Sequence, residues 1–136
     1  MKLELIDSRF IDKAYADGAS CLSAACDQSS GEIEGPQLKM MLARSERTLV
    51  RMDDDGKTVG WGVIRIDQLP NMRVLYVTDL VAPGGHFEQF FEALKDLAKS
   101  SGCSKIRCAA KPAQARLYSI KCGFQPVYSI MEVSAL

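Results

Sequence analysis

The spacing of apolar positions changes period several times along the chain. "KLELI" (2–6) alternates polar and apolar residues, the period of a half-buried strand. From Phe10 the period lengthens. Phe10, Ile11, Ala14, Tyr15, Ala19 and Leu22 recur at helical spacing, with Asp7 or Ser8 as cap and Gly18 as a point of breakage or bending. After a loop by composition (27–36), Pro36 opens a short helix with Leu38, Met41 and Leu42 on one face. "TLVRM" (48–52) and "KTVGWGVIRID" (57–67) then flank "DDDG" (53–56), whose Asp-Gly pair tolerates the positive φ of a hairpin turn. Gly60 and Gly62 share one face of the return strand, which predicts a bulge or a close backbone approach.

Past a turn at 68–71, "MRVLYVTDLVA" (72–82) is a nearly continuous apolar run, the pattern of a strand buried on both faces. Phe87, Phe90, Phe91, Leu94, Leu97 and Ala98 then form an i, i+3, i+4, i+7 stripe, predicting a helix that starts near His86 and turns its phenylalanines into the core. Gly102 ends it. "SKIRCAA" (104–110) reads as a strand. "KPAQARLYSIKCG" (111–123) reads as a helix from Pro112 to Gly123, with Ala113, Leu117 and Ile120 as its apolar seam. "FQPVYSIMEV" (124–133) reads as a closing strand. The order β-α-α-β-β-β-α-β-α-β predicts an α+β (mixed α/β) class: one domain over 1–136, with a mixed sheet of about six strands and helices on both faces. The strands at 72–82 and 104–110 should run parallel, because a helix connects them.

Composition narrows the function classes. Lys plus Arg and Asp plus Glu both total 17, so the basic excess of a nucleic-acid module is absent. No apolar run is long enough to span a membrane, and the start resembles no secretory signal. Cys21, Cys26, Cys103, Cys108 and Cys122 are odd in number and contain no C-x-x-C pair. With His86 as the single histidine, no metal site is expected. Reduced, mostly buried thiols in a cytoplasmic protein are the reading that fits.

"LYSIKCGF" (117–124) carries an L-Y-x-x-x-G-F pattern on a helix ending at its Gly. Together with the element order and the V-x-P of "DLVAP" (79–83), it resembles the GNAT family of N-acetyltransferases over most of the chain from about residue 48. The resemblance implies acetyl-CoA as co-substrate, held where strands 72–82 and 104–110 splay apart. Backbone near Leu80, Val81 and Ala82 would pair with the pantetheine arm. The pyrophosphate would sit at Gly84, Gly85 and His86, on the amino end of the following helix. Tyr118 takes the position of the general acid, and Asp79 is the best-placed base, ahead of Glu88 and His86. The acceptor would be an amine, on a small molecule or a protein. A homodimer through the final strand or the meander is compatible with the pattern.

The loop departs from the family pattern R/Q-x-x-G-x-G/A. Ala82 stands at the Arg/Gln position, and Phe87 stands where a small residue lets backbone approach phosphate. Pro83 also meets the glycines early, which shortens the loop. Lys111 stands where the family often has Asn. Each residue keeps a plainer reading: Tyr118 as a packing tyrosine, Gly84-Gly85 as a tight turn, Asp79 as a strand-end carboxylate, His86 and Lys111 as solvated surface, Trp61 as core rather than substrate wall. Two functions therefore stand open: an acetyl-CoA-dependent N-acetyltransferase, or a catalytically inactive protein of the same fold with a structural, assembly or regulatory role.

Overall fold

The hairpin expected at the Asp-Gly pair forms, and the sheet grows from it. The computed structural model describes all residues, Met1–Leu136. Asp55 and Gly56 both adopt positive φ, 50° and 77°, as a two-residue mirror-image turn requires. They join β2 (Thr48–Asp54) to β3 (Lys57–Gln68). β1 (Lys2–Ile6) pairs antiparallel on the outer side of β2, and β4 (Arg73–Val81) pairs antiparallel on β3. β5 (Lys105–Cys108) adds parallel to β4, giving the order β1-β2-β3-β4-β5. Between β1 and β2 lie α1 (Ile11–Ala16), α2 (Leu22–Cys26) and α3 (Gly35–Ala43). α4 (Phe87–Ser100) connects β4 to β5, and α5 (Pro112–Cys122) follows β5.

Strand alternation sends side chains to two cores. On one face Leu49, Trp61 and Val63 meet Ile11, Leu22, Leu38 and Leu42 of the amino-terminal helices. On the other, Val50, Met52, Ile64 and Leu75 meet Phe90, Leu94 and Ala98 of α4. Helices cover both faces, as the pattern requires. Phe90 is fully buried and presses on the two β3 glycines. A Cβ on Gly60 would stand 3.0 Å from the Phe90 ring and 3.0 Å from the Val81 carbonyl, and one on Gly62 would stand 3.2 Å from the ring. The close backbone approach anticipated from the glycine spacing is this ring. It fixes α4 against the middle of the sheet and so fixes where α4 begins.

Three expectations are corrected. The sheet has five strands rather than six, because residues 124–133 pair with nothing. Apolar alternation gives that segment the propensity of a strand but no edge to join, and Pro126 removes one ladder donor. The break expected at Gly18 does occur in the first helix. Gly18, at φ 133°, ends α1 and a 3-10 turn leads into α2. The seam of α5 is not a seam: Leu117 is 44% and Ile120 84% exposed, and no residue of α5 is buried. Lastly, only Phe90 of the three phenylalanines reaches the core fully. Phe87 and Phe91 are half-buried at the edge of α4 that faces α5.

Because the Val81 carbonyl belongs to the backbone and cannot swing aside, Gly60→Ala should lower stability by about 1–3 kcal/mol. Urea unfolding measures this, and an unchanged midpoint would mean that Phe90 does not bear on Gly60.

Candidate functional site

The site begins where the sheet fails to continue. β4 and β5 share four residue pairs, the last being Val77 with Cys108, yet β4 runs on to Val81. At that point β4 carries an extra residue. Ile64 of β3 faces Val77 and Val63 faces Asp79, so Thr78 is left over as a bulge. A bulge bends its strand and increases the local twist, which carries Thr78–Val81 away from β5. The gap widens into a cleft of about 730 Å³. Its walls are β4 from Val77 to Val81, the end of β5, the start of α4, and the α2 segment with the loop behind it.

Tyr118 of α5 and Phe87 of α4 close one side of this cleft. Their rings stack at 4.9 Å between centroids, 9° from parallel, and Phe124 tilts against Tyr118 at 5.9 Å. Burial, then the neighbouring Cys108 and Cys122, pushes the Tyr118 phenol above its ordinary value. It therefore keeps its proton at neutral pH, as a general acid must. The thiols of Cys108 and Cys122 are pushed up too, again first by burial. Neither is poised as a thiolate nucleophile.

Asp79 lies across the cleft on β4, its side chain only 7% exposed. Arg47 Nη1, just ahead of β2, stands 3.7 Å from Asp79 Oδ2, and the Thr78 hydroxyl is 2.8 Å from the same oxygen. Behind this pair sits Tyr15, whose hydroxyl oxygen is buried with no hydrogen-bond partner. Desolvation first, then the charges of Cys26 and Asp79, pushes that phenol up to about 12.

The glycine turn lies at the end of the cleft without lining it. Gly84 and Gly85 take φ of 74° and 81°, which is reason enough for two glycines. His86 precedes α4 and no side chain caps the helix, so the first N–H groups of a 14-residue helix point outward unclaimed by a cap. Glu88 in that first turn is joined to Lys121 of α5 at 3.3 Å. Lys111 lines the cleft and reaches over it, its Nζ donating to Gln28 Oε1 at 3.1 Å.

Of the residues singled out from sequence, the fold gathers Tyr118, Asp79, Leu80 and Val81 around one cleft. Ala82, Gly84, Gly85 and His86 form the turn beside it. Sequence reasoning missed Arg47, since a lone arginine before a strand carries no signal. It also missed the Phe87–Tyr118 stack, since the helical period marks Phe87 as core and cannot show which neighbour its ring meets.

The Arg47–Asp79 pair is buried enough that losing one member strands the other. Arg47→Ala should destabilise by about 3–5 kcal/mol, and the double variant Arg47→Ala/Asp79→Ala by less. A double-mutant cycle in urea reads the difference, and additive losses would show that the two groups do not interact.

No family model matches the chain, and no curated protein matches its sequence. Solved structures do match in fold. A ribosomal-protein-alanine N-acetyltransferase from Brucella melitensis biovar Abortus 2308 superposes with a TM-score of 0.71 at 15% identity, over 98% of this chain and 99% of that one. Glucosamine-6-phosphate N-acetyltransferase from Arabidopsis thaliana gives 0.66 at 19%, over 98% and 97%. An aminoglycoside acetyltransferase from an uncultured soil metagenomic sample, solved with sisomicin, gives 0.62 at 13%, over 99% and 93%. At these identities the likeness is one of fold, and it extends over nearly all of every chain compared. The protein carries the GNAT acetyltransferase fold that its L-Y-x-x-x-G-F segment resembles.

Proposed function

We propose that the protein is an acetyl-CoA-dependent N-acetyltransferase, and the observation that carries this reading is the splayed β4 edge facing a protonated Tyr118. The residues present fit the co-substrate. Thr78–Val81 offer strand backbone that β5 does not meet, suited to an added extended chain. The uncapped start of α4 suits an anion. Acetyl-CoA, when bound, supplies an acetyl group activated as a thioester.

The chain's own residues do the rest. A backbone N–H of β4 polarises the acetyl carbonyl. The amine nitrogen bonds to the carbonyl carbon as the carbon–sulfur bond breaks. Tyr118 gives its proton to the departing sulfur, and Asp79 accepts the proton that the amine loses. Phe87 holds the Tyr118 ring flat against the cleft wall. The raised thiol at Cys108 argues for direct attack by the amine over an acyl-cysteine intermediate. Asp79 and Glu32 are the acids on the cleft walls; Asp79 faces Arg47, which leaves Glu32 as the one to meet a cationic amine. Proteins of this fold act on acceptors as different as a ribosomal-protein alanine and glucosamine-6-phosphate. The acceptor here is proposed only as an amine, on a small molecule or a protein.

A second reading is favoured by one observation: the Asp79 carboxylate already faces Arg47 and Thr78, which leaves no free base on β4. With Ala82 and Phe87 in the loop, that describes a protein of this fold that binds or assembles without catalysing.

Calorimetric titration with acetyl-CoA and a panel of amines separates the two. The enzyme reading expects binding, and transfer that falls at least about 100-fold in Tyr118→Phe while binding persists. Since burial pushes the Tyr118 phenol above its ordinary value, kcat should hold through neutral pH and fall only on the alkaline side of an ordinary tyrosine's titration. That limb should vanish in the variant. No heat at millimolar acetyl-CoA would end the enzyme reading.

A further inference from the structure

Three neighbouring strands place one residue each in a cross-strand row beside the cleft. Arg65 of β3 pairs with Tyr76 of β4, and Tyr76 pairs with Arg107 of β5. Residues directly opposite share a face of the sheet. Arg65 follows Val63 by two positions, so this is the face that the amino-terminal helices cover, one step past their core. The Arg65 guanidinium lies 4.3 Å over the Tyr76 ring. Its Nε donates to Asp67 Oδ1 at 3.0 Å and Oδ2 at 3.3 Å, and its two Nη groups make no hydrogen bond. Arg107 Nη2 meets only the Met72 sulfur, at 3.7 Å, and pairs with no carboxylate. Lys105, two residues before Arg107, adds a positive charge on the same face. The acids near the row are Asp67, already engaged by Arg65, and Glu32. Burial pushes the Tyr76 phenol up, against the pull of Arg65, with the charges of Cys108, Tyr128 and Glu32 adding to the rise. The phenol therefore keeps its proton at neutral pH and can donate it in a hydrogen bond. Cys108 and Glu32 also stand on the cleft walls, so the row adjoins the cleft at the end where Glu32 lies.

We infer that the amine received by the cleft carries a carboxylate or phosphate, and that Arg107, Arg65 and Tyr76 hold this anion while Glu32 faces the amine. The inference rests on the reading of the cleft as an amine site. A guanidinium is a planar fork that meets two oxygens of a carboxylate or phosphate at once. Here two of them flank a phenol O–H. The sheet fixes their spacing, and Tyr76 and Asp67 hold the Arg65 guanidinium in one orientation. Little side-chain freedom is then left to lose on binding. Opposite charges at the two ends of the site decide which end of the acceptor enters first. The same row repels a second ammonium, so a polyamine is a poor acceptor. The β4 backbone that β5 does not meet begins at Thr78, two residues past Tyr76. At roughly 3.3 Å per residue, a nitrogen reacting beside Thr78 or Asp79 stands about 7–10 Å from the row. The acceptor class is therefore a primary amine with its anionic group at about that separation.

Calorimetry on the full chain tests this with two matched pairs: ε-aminocaproate against its amide, and aminopentyl phosphate against aminopentanol. Each pair keeps the amine and changes only the far group. The expected result is that at least one anionic member binds at least about tenfold tighter than its neutral partner. Arg107→Gln should bring the two members of that pair within about twofold of each other. Arg65→Gln should narrow the gap as well, and circular dichroism checks that both variants keep the fold. The pair that shows the preference tells carboxylate from phosphate. An anion that gains nothing in either pair would overturn the inference, and so would a preference that both variants leave intact. Transfer from acetyl-CoA, measured on the same four amines, keeps this inference apart from the enzyme reading. Transfer with no preference for either anion ends the inference and leaves the enzyme reading standing. A preference that depends on Arg107, without transfer, supports the anion site and ends the enzyme reading.

Discussion

Four residues of β4, Thr78 to Val81, carry backbone N–H and C=O groups beyond the reach of β5. Backbone groups of this kind must find partners in water, in protein or in a ligand. The Thr78 bulge creates the condition by giving β4 one residue more than β3 can match. The shortness of β5 maintains it. The cleft, the placement of Tyr118 across from Asp79, and the proposed seat of the acyl donor all follow from that divergence.

What holds the opening in place is packing at some distance from it. Phe90 rests in the gap left by two missing side chains on β3 and fixes α4 to the sheet. The helix therefore starts beside the end of β4, with the two glycines making the turn between them. α5 is held more lightly, by the Phe87–Tyr118 stack, the Glu88–Lys121 pair and the Phe91–Phe124 contact. The buried residues end at Cys103. Beyond it β5 is half-buried, with Ile106 against the core, and α5 lies on the surface with the tyrosine on which the proposed chemistry depends. A side chain proposed to donate a proton from a weakly buried helix needs bracing, and the aromatic stack supplies it.

Much of this was legible because local patterns carried it. The Asp55-Gly56 turn, the face shared by Gly60 and Gly62, and the stripe of α4 each predicted an element or a contact that the fold contains. The site was legible in part. Tyr118, Asp79, Leu80 and Val81 fall on one cleft, but the partners that set their chemistry are distant in sequence. Arg47 reaches Asp79 across thirty-two positions (79 − 47) and Phe87 reaches Tyr118 across thirty-one (118 − 87). No periodicity records such pairs. No helix is long and apolar enough to cross a membrane.

Local period, turn chemistry and a short contiguous pattern were enough for the run of elements from β2 to α5, the parallel β4–α4–β5 unit and the position of the motif tyrosine. Only the tertiary structure decided that Phe87 turns to Tyr118, that Asp79 is already paired, and that residues 124–133 form no strand. The first two depend on which surfaces meet in space. The third depends on whether an edge is available, because alternation makes a segment able to pair and cannot supply the strand it pairs with.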